Sequence, residues 1–128
     1  MRGLKHFFTS LAVLLCLSLA ALAQTSATAT VSGTITDANG AVLAGAEVEL
    51  TDPATNQSQK LATNSEGRFL FPTVLPGVYK VTVTAKGFRQ AVVPALKVEI
   101  AKAYNVNLTL EVGNVGEVVE ITAGAAVE

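Results

Sequence analysis

The sequence predicts an all-β fold, a small antiparallel β-sandwich of about seven strands preceded by a signal peptide. Apolar and polar residues alternate with a period of two through residues 31–36, 46–50, 79–85 and 104–110, as strands with one buried face require. Between such segments stand turn residues, in Asp37-Ala38-Asn39-Gly40, Asn64-Ser65-Glu66-Gly67 and Leu75-Pro76-Gly77. Outside the first 23 residues nothing has the 3.6-residue period of an amphipathic helix, and no repeat of solenoid length occurs.

Residues 1–23 read as a secretory signal. Arg2 and Lys5 give a basic start, residues 11–22 form an apolar run too short to span a bilayer with margin, and Ala21-Leu22-Ala23 is a small-x-small cleavage site. Cleavage between Ala23 and Gln24 is therefore expected, with secretion of the cleaved chain. An uncleaved anchor is the rival reading. Lipoprotein attachment at Cys16 is disfavoured, because Leu14-Leu15 precede it where small residues are needed. Cleavage would remove the only His and the only Cys and leave seven basic against ten acidic residues, a net charge of −3. A chain of that size without cysteine has to be held by core packing. Its mild acidity without a basic stripe argues against nucleic acid as a partner. The mean hydropathy of +0.46 overstates the hydrophobicity of the surface, since the signal contributes much of it.

Residues 24–29 are Ser/Thr/Ala-rich and read as a linker. The sandwich is assigned to residues 30–112. Its first strand turns Val31 and Ile35 inward and ends at Asp37, whose side chain can bond the following backbone, with Gly40 closing the turn. The second, 46–50, buries Val48 and Leu50 and stops at Asp52-Pro53. Residues 57–63 are polar apart from Leu61 and are placed at a sheet edge. After Gly67, Phe69 and Phe71 share one face; Pro76 and Gly77 are expected to form a type II turn with positive φ at Gly77. Tyr79, Val81, Val83 and Ala85 then face the core while Lys80, Thr82, Thr84 and Lys86 face out. Gly87 bends the chain so that Phe88 closes one end. An irregular stretch is expected around Pro94, followed by alternation through 97–100 and 104–112, with Tyr104, Val106, Leu108 and Leu110 inward. Residues 113–128 form a strand-like tail whose orientation the pattern leaves open.

Catalysis requires convergent acids, bases, nucleophiles or metals, and the cleaved chain has neither His nor Cys, so it is read as no enzyme, with no metal and no cofactor. The carboxylates fall mostly in turns or at outward strand positions, where a solvated face is the ordinary role. The Asp37 turn offers oxygen ligands but lacks the full loop of an EF-hand. Asn56-Gln57-Ser58 and Asn107-Leu108-Thr109 match a short glycosylation sequon, meaningful only in a eukaryotic secretory pathway. Sugar sites favour exposed aromatic platforms, but there is no Trp, and the rings at 69, 71, 79, 88 and 104 stand where a core needs them.

Five ordered motifs carry a resemblance: Val31-Ser32-Gly33-Thr34-Ile35-Thr36-Asp37; Gly40-Ala41-Val42-Leu43-Ala44-Gly45-Ala46-Glu47-Val48; Thr63-Asn64-Ser65-Glu66-Gly67-Arg68-Phe69; Leu75-Pro76-Gly77-Val78-Tyr79-Lys80-Val81; and Ala85-Lys86-Gly87-Phe88. Together they resemble the carboxypeptidase regulatory-like domain, which implies a transthyretin-like sandwich grouped with carbohydrate-binding-like folds and no peptidase domain. With the signal in front, and Leu110-Glu111-Val112-Gly113 and Val118-Val119-Glu120-Ile121-Thr122-Ala123 behind, the order is similar to the start of Oar-like TonB-dependent outer-membrane receptors. That similarity implies a non-catalytic interaction module whose partner is a receptor plug and barrel or a periplasmic protein, with the tail leading toward a plug, the chain being a receptor fragment or a free-standing domain. The alternative is an independent carbohydrate- or surface-binding module, supported by fold analogy. An isopeptide-crosslinked adhesin sandwich is disfavoured, because residues 31–36 contain no Lys.

Overall fold

The computed structural model describes residues 1–20, 27–114 and 116–126. The expected cleavage pair, Ala23 and Gln24, lies outside them. Arg2–Ala20 forms helix α1. No helix among the described residues is long and apolar enough to cross a membrane.

Nine strands follow among the described residues: β1 (Ala29–Asp37), β2 (Glu47–Asp52), β3 (Gln57–Ala62), β4 (Arg68–Val74), β5 (Gly77–Thr84), β6 (Gln90–Val98), β7 (Ala103–Asn105), β8 (Leu108–Leu110) and β9 (Val118–Glu120), then a short helix α2 (Ala123–Ala126). They build two sheets. One has the order β4-β1-β7, with β8 continuing alongside β1; the other has the order β3-β2-β5-β6-β9. Pairing is antiparallel except where β7 and β8 join β1 and β9 joins β6, all three in parallel. The strand count exceeds seven because the alternating segment 104–110 is broken at Val106 and the tail adds a strand of its own.

Alternation places the core where the sequence puts it. Val31, Ile35, Phe69, Phe71, Val106 and Leu108 from one sheet meet Val48, Leu50, Tyr79, Val81 and Val83 from the other, and all are buried. Phe69 and Phe71 pack edge to face with ring centroids 6.0 Å apart. Phe88 is half-buried against the same cluster and bridges to Val112, so it covers the core at one end. The polar segment β3 is indeed an edge strand, with Leu61 alone tucked partly under the sheet.

Several details differ from expectation. Gly77 has no positive φ; the glycines that do are Gly40, Gly45, Gly67 and Gly87. The reason is topological. β4 and β5 belong to different sheets, so Leu75-Pro76 carries the chain across the sandwich instead of closing a hairpin, and Gly77 is an extended residue opposite Val98. Pro94 lies within β6 rather than in an irregular stretch. Between the pairs Tyr79↔Leu96 and Val81↔Val93, β6 has two residues, Pro94 and Ala95, opposite Lys80 alone. This is a bulge, where a residue without N–H disrupts the ladder least. Thr82 faces outward but is 9% exposed, because β5 is central and its outer face is flanked by Glu49 and Val92 on the neighbouring strands. Ala29, placed in the linker by composition, is the first residue of β1, buried and opposite Val74.

Gly33 marks the tightest approach. A Cβ there would overlap the Val106 carbonyl and come within 2.8 Å of the Phe69 ring. Val106 N donates to Ser32 O at 2.7 Å, and the Asn107 side chain accepts from Thr34 N at 2.9 Å, so the chain kinks inward between β7 and β8 onto the bare glycine.

Gly33→Ala is expected to destabilise by on the order of 3 kcal/mol or more in denaturant melts, through overpacking against backbone. Gly77→Ala, whose Cβ would meet only Tyr79 at 3.5 Å, is expected to be neutral or slightly stabilising. Phe69→Ala is expected to cost about 3–5 kcal/mol, whereas Leu70→Ala, next in sequence but 54% exposed, should change stability by under about 0.5 kcal/mol. Comparable losses for that second pair would refute the assignment of faces.

The Tyr79 hydroxyl donates to Leu75 O at 2.8 Å. Burial, then the Asp52 carboxylate, raises its pKa above the ordinary 10.0. Above pH 10 the unfolded chain releases this proton while the folded chain keeps it, so the contribution of Tyr79 to stability is present below pH 10 and falls as pH rises through the folded value. The stability gap between wild type and Tyr79→Phe should accordingly be flat from pH 7 to 9 and narrow above 10. A gap independent of pH up to 11 would show that the hydroxyl is not held protonated.

Candidate functional site

With the interior filled by side chains, binding chemistry has to come from faces, edges and end loops. The outer face of the five-stranded sheet is charged. Lys60 of β3 sits 3.4 Å from Glu47 and 3.6 Å from Glu49 of β2, and the hydrogen bond to Glu47 raises its pKa. All three are solvent-exposed enough that such pairs stabilise little. At the end of β6, Glu99 lies between Lys97 and Lys102; its pKa is lowered chiefly by the hydrogen bond from Lys102, whose own pKa is raised in turn.

The outer face of the four-stranded sheet has a different chemistry. β1 presents Thr30, Ser32, Thr34 and Thr36, flanked by Arg68 and Leu70 from β4 and by Asn105 and Thr109 from β7 and β8. Thr36 and Thr109 hydroxyls lie 3.3 Å apart, and Ser32 reaches Tyr104 O at 3.5 Å. A groove of about 650 Å³ opens here, lined by Ser32, Thr34, Asn64, Arg68, Leu70 and Asn105 among others. Leu61 and Ala62 of β3, Gly33 of β1 and Phe69 of β4 complete its lining. A second hollow of about 420 Å³ lies at the crossover, beside Asp52, Gln57, Leu75, Pro76 and Tyr79.

At the β6 edge, the chain after β8 returns along the sandwich. Arg89 N donates to Glu111 O, Gly113 N to Gly87 O and Gln90 N to Glu117 O, after which β9 pairs with β6. The Arg89 side chain lies against Gly113, where a Cβ would meet its Cγ at 2.5 Å. Its guanidinium reaches Glu111 at 3.3 Å and Glu117 at 2.6 Å. The Nε–H is not aligned with the Glu117 oxygen, so that contact is an ion pair rather than a directed hydrogen bond.

The turn residues named from the sequence are committed to structure. Asp37 Oδ1 accepts from Asn39 N and Ala41 N, which commits that oxygen to the turn. Gly40, Gly67 and Gly87 take positive φ, and Gly67 N and Asn64 O close the second turn. Among the described residues no three His, Cys, Asp or Glu side chains are grouped to hold a metal. Sequence reading missed Arg89, whose partners are distant along the chain, and Thr63. Thr63 is 5% exposed, donates to Leu43 O at 2.6 Å and accepts from Ala46 N at 2.9 Å, fixing the loop that Gly45 turns. Its position at the end of an apparently polar edge gave no sign of burial.

Comparison with known proteins agrees with this architecture. Solved structures similar to the chain include the Bacillus anthracis TIE protein, with 19% identity over 67% of this chain and 17% of that one, at a TM-score of 0.58. A putative carbohydrate binding protein from Bacteroides uniformis is similar at 17% identity over 65% of this chain and 41% of that one, TM-score 0.55. The 5-hydroxyisourate hydrolase of Klebsiella pneumoniae shares 22% identity over 67% of this chain and 87% of its own, TM-score 0.53. The chain thus spans less than half of the first two proteins. At these identities the likeness is one of fold, a transthyretin-like or carbohydrate-binding-like β-sandwich. No curated protein matches the sequence. The family model for the carboxypeptidase regulatory-like domain matches residues 30–111, which run from the second residue of β1 through β8, and the chain belongs to that family.

Proposed function

We propose that this chain is a non-catalytic extracytoplasmic binding module, exported by residues 1–23 and acting as the N-terminal domain of a TonB-dependent outer-membrane receptor. Family membership over residues 30–111 carries the reading. The order of segments supports it: a helix with Arg2 and Lys5 at its start and an apolar body, then the domain, then a strand that docks along the sheet edge. The partner is the receptor plug or barrel, or a periplasmic protein, met through edges and end loops.

A second reading, a carbohydrate-binding module, is favoured by one observation. The groove beside β1 combines hydroxyl and carboxamide groups from Ser32, Thr34, Asn64 and Asn105 with apolar wall from Leu61, Phe69 and Leu70, and Arg68 is the one charged residue in its lining, a mixture suited to a neutral sugar with polar edges and apolar faces.

Expression of the full chain in a Gram-negative host, followed by fractionation and intact-mass measurement, tests the first reading. The expected species lacks residues 1–23, begins at Gln24 and is found outside the cytoplasm; a cytoplasmic species retaining Met1 would refute export. The same purified protein should turn over no peptide substrate, with or without zinc. Saturable micromolar binding to one glycan, lost in Asn105→Ala with unchanged stability, would rank the carbohydrate reading first.

A further inference from the structure

We propose that the outer edge of β6 is a strand-acceptor site for an extended acidic–apolar peptide entering in parallel, and that residues 117–122 of this chain are its exchangeable resident. The site goes beyond the receptor reading and does not depend on it.

The resident is held by few interactions. β6 runs from Gln90 to Val98, but β9 pairs with Gln90, Ala91 and Val92 alone. Flanking bonds from Gln90 N to Glu117 O and from Ile121 N to Val92 O, each 2.8 Å, complete the ladder. Val118 is 54% exposed, Glu120 is exposed and Val119 is half-buried, and of this stretch Ile121 and Ala123 pack against the core. Short edge segments with so little apolar burial open at small free-energy cost. Beside Ile121 a solvent-open hollow of about 360 Å³ lies between Pro94 and Ala95 and residues 120–123. A larger side chain than the resident's could enter it.

The edge also has the features of a selective acceptor. Gln90 and Val92 turn their backbone groups toward β9, and alternation puts Pro94, which has no N–H, on the same edge. Strand addition therefore ends after Val92, which sets the length of the match. At the entry end, Arg89 faces Glu117 and Glu111, so an acidic residue just ahead of the paired segment fixes register and direction. In the resident, Val119 lies opposite buried Ala91 on the core side, while Val118 and Glu120 point away. The chemistry read by the site is thus an acid, then an apolar residue at every second position, presented by β-augmentation.

The test is an NMR titration of the ¹⁵N-labelled full chain with an unlabelled peptide of residues 116–124. The expected result is a saturable shift of the 117–122 amide signals to unpaired values, while those of Gln90 and Val92 keep paired shifts. Because the cis strand competes at an effective concentration on the order of millimolar, excess peptide is needed. Signals of 117–122 that stay unchanged at several millimolar peptide, with amide exchange as slow as that of Val81 and Val83, would overturn the proposal. Because Arg89→Glu weakens the resident through the same contact, two peptides are compared on each protein: a peptide bearing Glu117→Lys should bind wild type about two- to fivefold more weakly than the unmodified peptide, and the order should reverse on Arg89→Glu. Equal binding of the two peptides to wild type would refute the assigned recognition.

Discussion

The sandwich depends on one contact between backbones, the seating of the Val106 peptide on Gly33. Among the described residues, β1 is the only strand of its sheet that pairs on both edges, antiparallel to β4 and parallel to β7 and β8. The inner face of β1 would carry a side chain at position 33, between Val31 and Ile35. With none there, the last segment of the sheet kinks inward, Val106 is fully buried, and the Phe69 ring fills the remaining space. The bond from Val106 N to Ser32 O and the Asn107 side chain on Thr34 N satisfy backbone groups that a break in a strand would otherwise leave unpaired. A regular strand through 104–110 would satisfy the ladder equally well but would not deliver this carbonyl and ring to the centre.

That contact also marks where sequence reading stops. Period-two alternation identified the inward residues of β1, β2, β4 and β5, because burial on one face constrains every second residue independently of what lies opposite. Turns with a local chemical cause were equally legible. Asp37 and Asn64 each accept two backbone N–H groups within four residues, and Gly40 and Gly67 supply the positive φ that those turns require. Features fixed by distant partners were not. Gly77 looked like a hairpin glycine because the sequence does not say that β4 and β5 belong to different sheets. Pro94 looked like a strand breaker because a bulge is defined by the partner strand. Thr63 and Thr82 looked solvated for the same reason, their burial being set by strands remote in the chain.

The candidate surfaces were legible to a similar degree. β3 was recognisable as an edge, since a polar strand with one apolar residue has no second sheet to meet. The tail was recognisable as strand-like, but neither its direction nor its seat on β6 follows from its own pattern. Arg89 illustrates the difficulty. In sequence it is one basic residue after Gly87-Phe88; in space it joins the end of β8, the loop at Gly113 and the entry to β9 through two carboxylates 22 and 28 positions away.

The two sheets therefore divide the work of the molecule along a physical line. Inner faces are apolar and jointly packed, so they tolerate little change. The outer faces differ from one another, one holding exposed ion pairs, the other mainly hydroxyl and carboxamide groups with Arg68 and Leu70 beside a groove. Because exposed pairs and solvated hydroxyls contribute little to stability, these surfaces can be altered for recognition without loss of the fold. The edges obey the same separation. The long β6 edge is blunted by Pro94 and partly covered by a short strand, leaving a segment of backbone that can pair but cannot propagate into open-ended strand addition. In a module built this way the residues that determine the fold lie on the inner faces of the strands, and those free to serve recognition lie on the outer faces of the same strands.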